Sequence, residues 1–157
     1  MGTLRRKAAQ EKGMTIDEFN ALGETDKSTD TMVDEYQKKL GETEDNFIIE
    51  GRTCWLFIPH SFKVYLACDP MEAAKRIFAE QNCATDRTGE MCYRSVEETA
   101  AELAKRVESD VRRYHKYYDV DYRDPKHYDL VVDTTHNPNS ETTANQILAA
   151  LQKKNPA

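Results

Sequence analysis

The stretch from Ser95 to Tyr118 constrains the chain most, because it reads as one uninterrupted helix. Apolar or small residues recur at Val96, Ala100, Leu103, Val107, Val111, Tyr114 and Tyr118. That 4-3-4-4-3-4 spacing marks one buried helical face. Ser95, with Glu98 three residues on, reads as the capping box that opens it. One register back, Arg106, Asp110 and Arg113 form a second stripe, about 100° around the same helix. Two fork-shaped guanidinium groups with an acceptor between them suit a phosphate and a sugar hydroxyl. On this helix alone the expected reading is a solvated salt-bridge ladder, since Asp110 pairs with either arginine at helical spacing.

The 157 residues suffice for one domain with a real core. Hydrophobic residues make up 39% and charged residues 32%, the balance of a soluble globular chain. A formal charge of −6 and a pI near 5.3 argue against a general nucleic-acid or membrane-surface binder. Any anion site must be local and built from particular arginines. No apolar run is long enough to span a bilayer, and no secretory signal is visible. Cys54, Cys68, Cys83 and Cys92 form no CxxC pair, so a reduced, cytoplasmic setting is expected. His60, His115, His127 and His136 form no HxxxH or HExxH set, and no metal site is expected.

Three helical segments come first. Leu4 to Glu11 stops near Gly13, and Thr15 with Glu18 opens a short helix ending near Gly23. Thr29 to Leu40 carries Met32, Val33, Tyr36 and Leu40 on one face, with Gly41 as the stop. Residues 46–50, 62–67 and 128–133 read as strands. Asp69-Pro70-Met71-Glu72 opens a helix between the second and third of them. Residues 82–94 are polar and contain Gly89, and Ser140 to Lys153 forms a last helix. Strands separated by helices predict an α/β fold, three-layered, with a short parallel sheet of about three strands flanked by helices.

Several runs carry a resemblance. They are Gly2-Thr3-Leu4-Arg5-Arg6, Lys12-Gly13-Met14-Thr15, Phe47-Ile48-Ile49-Glu50-Gly51-Arg52, Lys63-Val64-Tyr65-Leu66 and Tyr128-Asp129-Leu130-Val131-Val132-Asp133-Thr134-Thr135. With the Arg-x3-Asp-x2-Arg helix, they resemble a nucleoside monophosphate kinase. More narrowly, the chain resembles the cytidylate kinase-like family of P-loop kinases across nearly its whole length. The resemblance implies ATP- and magnesium-dependent phosphorylation of CMP or dCMP. It implies a helical monophosphate-binding part at 1–44, a core at 45–80 and 95–157, and a lid at 81–94. Gly2 and Arg6 would open the acceptor site, with Gly51, Arg52 and Thr53 beside it. Arg52, Arg106 and Arg113 would meet phosphates in the catalytic role, Asp110 would hold the sugar, and Arg76 and Arg87 would serve phosphate near the lid. Such chemistry is mainly positioning and charge neutralisation, which suits an acidic chain with a few placed arginines.

Two departures from the family stand out. Thr53 occupies the place where cytidylate kinases often have an aspartate that helps read cytosine. The strand, glycine-rich phosphate loop, helix and second strand that open the family are absent from the sequence. Gly23-Glu24-Thr25-Asp26-Lys27-Ser28-Thr29 superficially resembles such a loop. It has Asp26 where G-x4-G-K-[ST] requires glycine, is one residue short, and follows a helical segment. It reads as a linker and helix cap. The expectation is a kinase acceptor side, inactive as given, that self-associates through its exposed sheet. The alternative is a non-catalytic nucleotide-binding or interaction fragment of the same fold. Cys83 and Cys92 are too few for a zinc lid. Tyr114 and Tyr118 read as core, and Trp55 as packing beneath the acceptor site.

Overall fold

The computed structural model describes residues 2–82 and 93–154. Three helices come first: α1 (Gly2–Glu11), α2 (Ile16–Gly23) and α3 (Ser28–Thr43). Gly13 lies at φ 68°, where its N–H reaches Gln10 O at 2.9 Å and Met14 N–H reaches Ala9 O at 2.9 Å. A left-handed residue ends α1 there, and glycine takes that conformation without a Cβ penalty. Thr15 then caps α2: its hydroxyl accepts from Glu18 N–H (3.2 Å), and the Glu18 carboxylate accepts from Thr15 N–H (2.8 Å). Ala8, Ala9 and Phe19 form a small apolar cluster between these helices, with Met14 against it.

Helix α3 departs from the apolar face expected of it. Met32 and Tyr36 are exposed, while Thr29, Asp30, Val33, Asp34 and Gln37 are buried. The buried face is polar because it meets arginine and tyrosine side chains rather than a hydrocarbon core. Gly41 does not stop the helix, which runs on to Thr43. A Cβ at Gly41 would lie 3.1 Å from Ile58 Cγ2, so this glycine lets α3 approach Ile58 closely.

The short helix α4 (Cys54–Phe57) precedes strand β1 (Val64–Ala67) and helix α5 (Pro70–Asn82). Helix α6 (Val96–Tyr118), a 3-10 turn at Pro125–His127, strand β2 (Leu130–Asp133) and helix α7 (Ser140–Lys154) complete the described elements. Asp69 Oδ1 accepts from Met71 N–H (2.9 Å) and Glu72 N–H (3.0 Å), which opens α5. Ser95 caps α6 by accepting from Glu98 N–H at 3.2 Å. The Glu98 carboxylate takes Arg94 N–H instead (2.6 Å), so only half of the expected box forms. Helix α5 packs against α6, and α7 against β2.

Strands β1 and β2 pair in parallel, with Val64 opposite Leu130 and Ala67 opposite Asp133. The result is a partial α/β arrangement: a short two-stranded parallel sheet flanked by helices. The strand expected at residues 46–50 does not form. Asn46 has φ 57°, and Ile48 is fully exposed. A strand needs a neighbour to take its N–H and C=O groups, and among the described residues none pairs with this segment. Among the described residues no helix is long and apolar enough to cross a membrane.

Candidate functional site

Asp110 and Arg113 lie three residues apart on α6, and each is 1% exposed. Arg113 Nη2 donates to Asp110 Oδ1 at 2.7 Å and to Tyr114 Oη at 3.0 Å. Arg52, 58 residues earlier, reaches the other oxygen of the same carboxylate from the turn before α4. On its far side Arg113 Nε stands 3.3 Å from Asp30 Oδ2 on α3. Arg5 on α1 completes the row: its Nη1 donates to Asp30 Oδ1 (2.6 Å), and its Nε to Asn20 Oδ1 (2.7 Å). Arg52, Asp110, Arg113, Asp30 and Arg5 thus alternate in sign, with one cation in excess.

The row corrects the expectation of a solvated ladder. Helical spacing brings Asp110 and Arg113 together, but α2 packed against α6, with the Asp30 side chain of α3 on Arg113 and Arg5 of α1 behind it, takes them out of water. Burial works against charge on every guanidinium here. At Arg113 the surrounding Tyr114, Asp110 and Asp30 outweigh it and raise the pKa. At Arg52 Asp110 does most of the same work, with Tyr122 and Tyr114. At Arg5 burial prevails over Asp30 and the pKa falls. Several polar atoms of the row remain buried without a hydrogen bond: Arg5 Nη2, Arg113 Nε and Asp30 Oδ2. Buried polar atoms left without a hydrogen bond cost about 1–3 kcal/mol each, and the two arginine nitrogens among them, Arg5 Nη2 and Arg113 Nε, are donors that suit an anionic oxygen.

Gly23 ends α2 against the row. A Cβ there would lie 2.9 Å from Thr29 Oγ1, 3.0 Å from Arg5 Nη2 and 3.2 Å from Arg113 Cδ. The stretch after it is a helix junction, as its sequence suggests: Asp26 Oδ1 accepts from Ser28 N–H at 2.8 Å. It offers no phosphate cradle, because the glycine is closed in by side chains and the aspartate is turned on α3.

The other expected site residues are distributed as follows. Arg6 is half-buried on α1, with its guanidinium against Gly2, where a Cβ would be 3.7 Å from Nη1. Gly51 is exposed in the turn that carries Arg52. Thr53 is buried, and its hydroxyl accepts from Gln37 Nε2 at 3.4 Å. Arg106 makes no ion pair with Asp110; its Nε is buried without a partner. Arg76 Nη2 donates to the carbonyls of Thr134 (3.0 Å) and Thr135 (2.9 Å), beyond the end of β2. Trp55 Nε1 donates to Arg52 O at 3.0 Å, and its ring stacks on His127 at 4.0 Å. Arg87, Gly89, Cys83 and Cys92 lie outside the described residues, as does most of the expected lid. No group of three or more potential metal ligands occurs among the described residues.

Arg5 and Asp30 were not singled out by the sequence. Arg5 sits beside Arg6, and only the packing of α1 decides which of the two turns inward. Asp30 had a signal: Asp30, Asp34 and Gln37 recur at helical spacing on α3.

Residues 3–136 match the sequence model of the cytidylate kinase-like family. A protein of Methanocella arvoryzae named cytidylate kinase is 36% identical over 130 residues, covering 83% of this chain and 68% of the relative. One of Methanocorpusculum labreanum with the same name is 32% identical over 152 residues, covering 96% of this chain and 76% of the relative. One of Archaeoglobus fulgidus, again named cytidylate kinase, is 29% identical over 154 residues, covering 98% and 79%. No solved structure matches the chain.

Proposed function

This chain belongs to the cytidylate kinase-like family, and from that premise we propose that its buried ion row is the acceptor side of a nucleoside monophosphate kinase. The complete enzyme, in the cytoplasm, moves the γ-phosphoryl of ATP, with magnesium, to CMP or dCMP. One observation carries the reading: Arg52 and Arg113, from separate segments, hold one carboxylate between them in a buried place. An acceptor phosphate takes the two guanidinium groups, and Asp110 turns to a sugar hydroxyl. Arg106 adds its unmet N–H to the same phosphate. Gly2, Arg6, Gly51 and Thr53 border the acceptor, and Arg76 ties α5 to the chain after β2. Neutralising and aligning the phosphate is the main protein contribution to phosphoryl transfer.

The residues present do not fit the donor. Its β- and γ-phosphates need a nest of backbone N–H groups, a lysine and a Ser or Thr for magnesium. The six glycines stand at 2, 13, 23, 41, 51 and 89, and the one look-alike stretch is a helix junction. The donor cradle therefore has to come from outside these residues. Residues 1–157 alone bind an acceptor nucleotide without turning it over. The second reading, a nucleotide-binding fragment with no catalytic role, is favoured by the same lack of a donor cradle.

The test is a coupled assay for ADP release with CMP, dCMP, UMP and AMP. It is run on the 157-residue chain and on a form extended by a segment that bears G-x4-G-K-[ST]. Turnover should appear only in the extended form and fall strongly in its Arg113→Ala variant. Robust turnover by the 157 residues overturns the donor claim. An extended form that stays silent while still binding CMP favours the binding fragment.

A further inference from the structure

Arg52 and Arg113 grip the same carboxylate from different kinds of support. Arg113 stands on α6, a helix of 23 residues that sets its place. Arg52 stands in the turn before the four-residue α4. A site side chain on a turn needs contacts of its own to hold it. Asp110 grips the Arg52 guanidinium, but as an acceptor site the row gives up that grip to an incoming phosphate. The contacts that outlast this exchange are the ones that place Arg52 against a ligand.

Two contacts meet that condition. The indole Nε1 of Trp55 donates to Arg52 O at 3.0 Å, while the N–H groups of Leu56 and Phe57 turn to Thr53 O (3.0 and 3.3 Å). The Arg52 guanidinium lies 5.7 Å over the ring of Tyr122. Both contacts are backed by the stretch that leads into β2. The Trp55 ring lies flat on His127, with centroids 4.0 Å apart and planes at 15°. Tyr128, next in sequence, stands 6.0 Å from Trp55 and 5.0 Å from Tyr65 of β1. The Tyr128 hydroxyl donates to Tyr122 O and so ties the two contacts together. A file of rings thus fixes the turn of Arg52 to the parallel sheet.

We infer that Trp55 is the positioning residue of Arg52: its N–H holds the Arg52 carbonyl, and its ring, stacked on His127, passes the fixed position of the sheet to the turn. The inference rests on the ion row being the phosphate site. Trp55 touches no phosphate and acts only through the arginine. A guanidinium fork gives two parallel bonds to a phosphate when its stem starts from a fixed point. A displacement of about 1 Å is enough to weaken such an alignment. Trp55→Phe keeps a ring on His127 and removes the N–H.

Calorimetric titration of the 157-residue chain with ribose 5-phosphate tests this. That ligand has the phosphate and no base, so it reports on the row alone. Trp55→Phe should weaken its binding about three- to tenfold, the worth of one hydrogen bond. In an Arg52→Ala chain, where Arg113 and Arg106 remain to bind, the same substitution should have almost no further effect. In an Arg113→Ala chain it should keep its full effect, since the two act independently. Arg52→Lys, which keeps the charge and loses the fork, replaces Arg52→Ala if the alanine variant binds too weakly to measure. His127→Ala removes the ring behind Trp55 and carries the same cycle if Trp55→Phe does not fold. Wild-type affinity in folded Trp55→Phe, or an equal loss with and without Arg52, is what a merely structural tryptophan gives. Either result overturns the inference and leaves the phosphate site standing. Failure of ribose 5-phosphate to bind the wild-type chain overturns both.

Discussion

Around Arg113 each charged side chain of the row meets an opposite partner, drawn from α1, α3, α6 or the turn before α4. Along the sheet, Leu66 of β1 and Val131 of β2 stand exposed, and each strand is paired on one side only among the described residues. Ile48, in the segment that reads as a strand but pairs with nothing, is exposed as well. The helical region closes on itself because its contacts are side chain to side chain and lie within the given residues. A sheet closes only when every strand finds a backbone neighbour, and an unpaired edge invites another strand. We expect the first region to hold the stability of the chain and the second to govern its association.

Asp110→Ala strikes the first region hardest. It leaves Arg52 and Arg113 facing each other with no anion between them, and breaking a buried pair in this way costs about 3–5 kcal/mol. Urea denaturation followed by circular dichroism measures it. A cost under about 1 kcal/mol is what an exposed pair gives, and that outcome would erase the contrast between the two regions.

Gly23→Ala comes next. The added Cβ meets Thr29 and the arginines Arg5 and Arg113 at 2.9–3.2 Å. Overpacking of this sort costs about 1–3 kcal/mol. The same denaturation should show a shifted midpoint with an unchanged slope, and an unshifted midpoint means that the row yields more easily than its packing implies.

A smaller effect concerns Asp34. Burial raises its pKa, and the hydrogen bond from Tyr118 only partly offsets this. Between the unfolded value, about 3.9, and the raised folded value, the folded chain holds a proton that the unfolded chain has released. The contribution of Asp34 is therefore fully present below the unfolded pKa and lost as pH rises through the folded one. Asp34→Asn should remove that loss, so its stability relative to the wild type should climb with pH across the window. Parallel stability curves for the two proteins would contradict the assignment.

Leu66→Lys should change stability least, within about 0.5 kcal/mol. Its effect belongs to the second region: sedimentation at rising concentration should show less self-association than in the wild type. A variant that associates as strongly as the wild type shifts attention from β1 to Ile48.

The parts of the fold that could be read in advance are those with local causes. Thr15 with Glu18, Asp69 ahead of Pro70, and Gly13 act within a few residues, and each behaves as its local chemistry requires. The run from Val96 to Tyr118 is a helix, as its spacing and its Ser95 cap require, but of the expected apolar face only Tyr114 is fully buried, beside the polar Thr99, Asp110 and Arg113. The α3 face departs from its apolar pattern, with Met32 and Tyr36 exposed, because burial depends on what lies opposite. Opposite α3 are Arg5, Arg113 and the Tyr118 hydroxyl, so Asp30 and Asp34 go inside. Residues 46–50 form no strand for the converse reason. An apolar run is strand-like only if a partner is there to pair with it.

The site divides in the same way. The sequence by itself determined that Arg106, Asp110 and Arg113 share a helical stripe, and that Arg52 follows a glycine at the end of an apolar run. It determined the family, because several weak motifs stand in the right order. Only the tertiary structure decided that Asp110 is gripped from both sides, that Arg5 turns inward beside Arg6, and that Asp30 bridges two arginines. The physical reason is the range of the forces. Caps and helical spacing act over one or two turns of one segment. Burial, and the ion pairing that it forces, acts between segments such as those of Arg52 and Asp110, 58 residues apart.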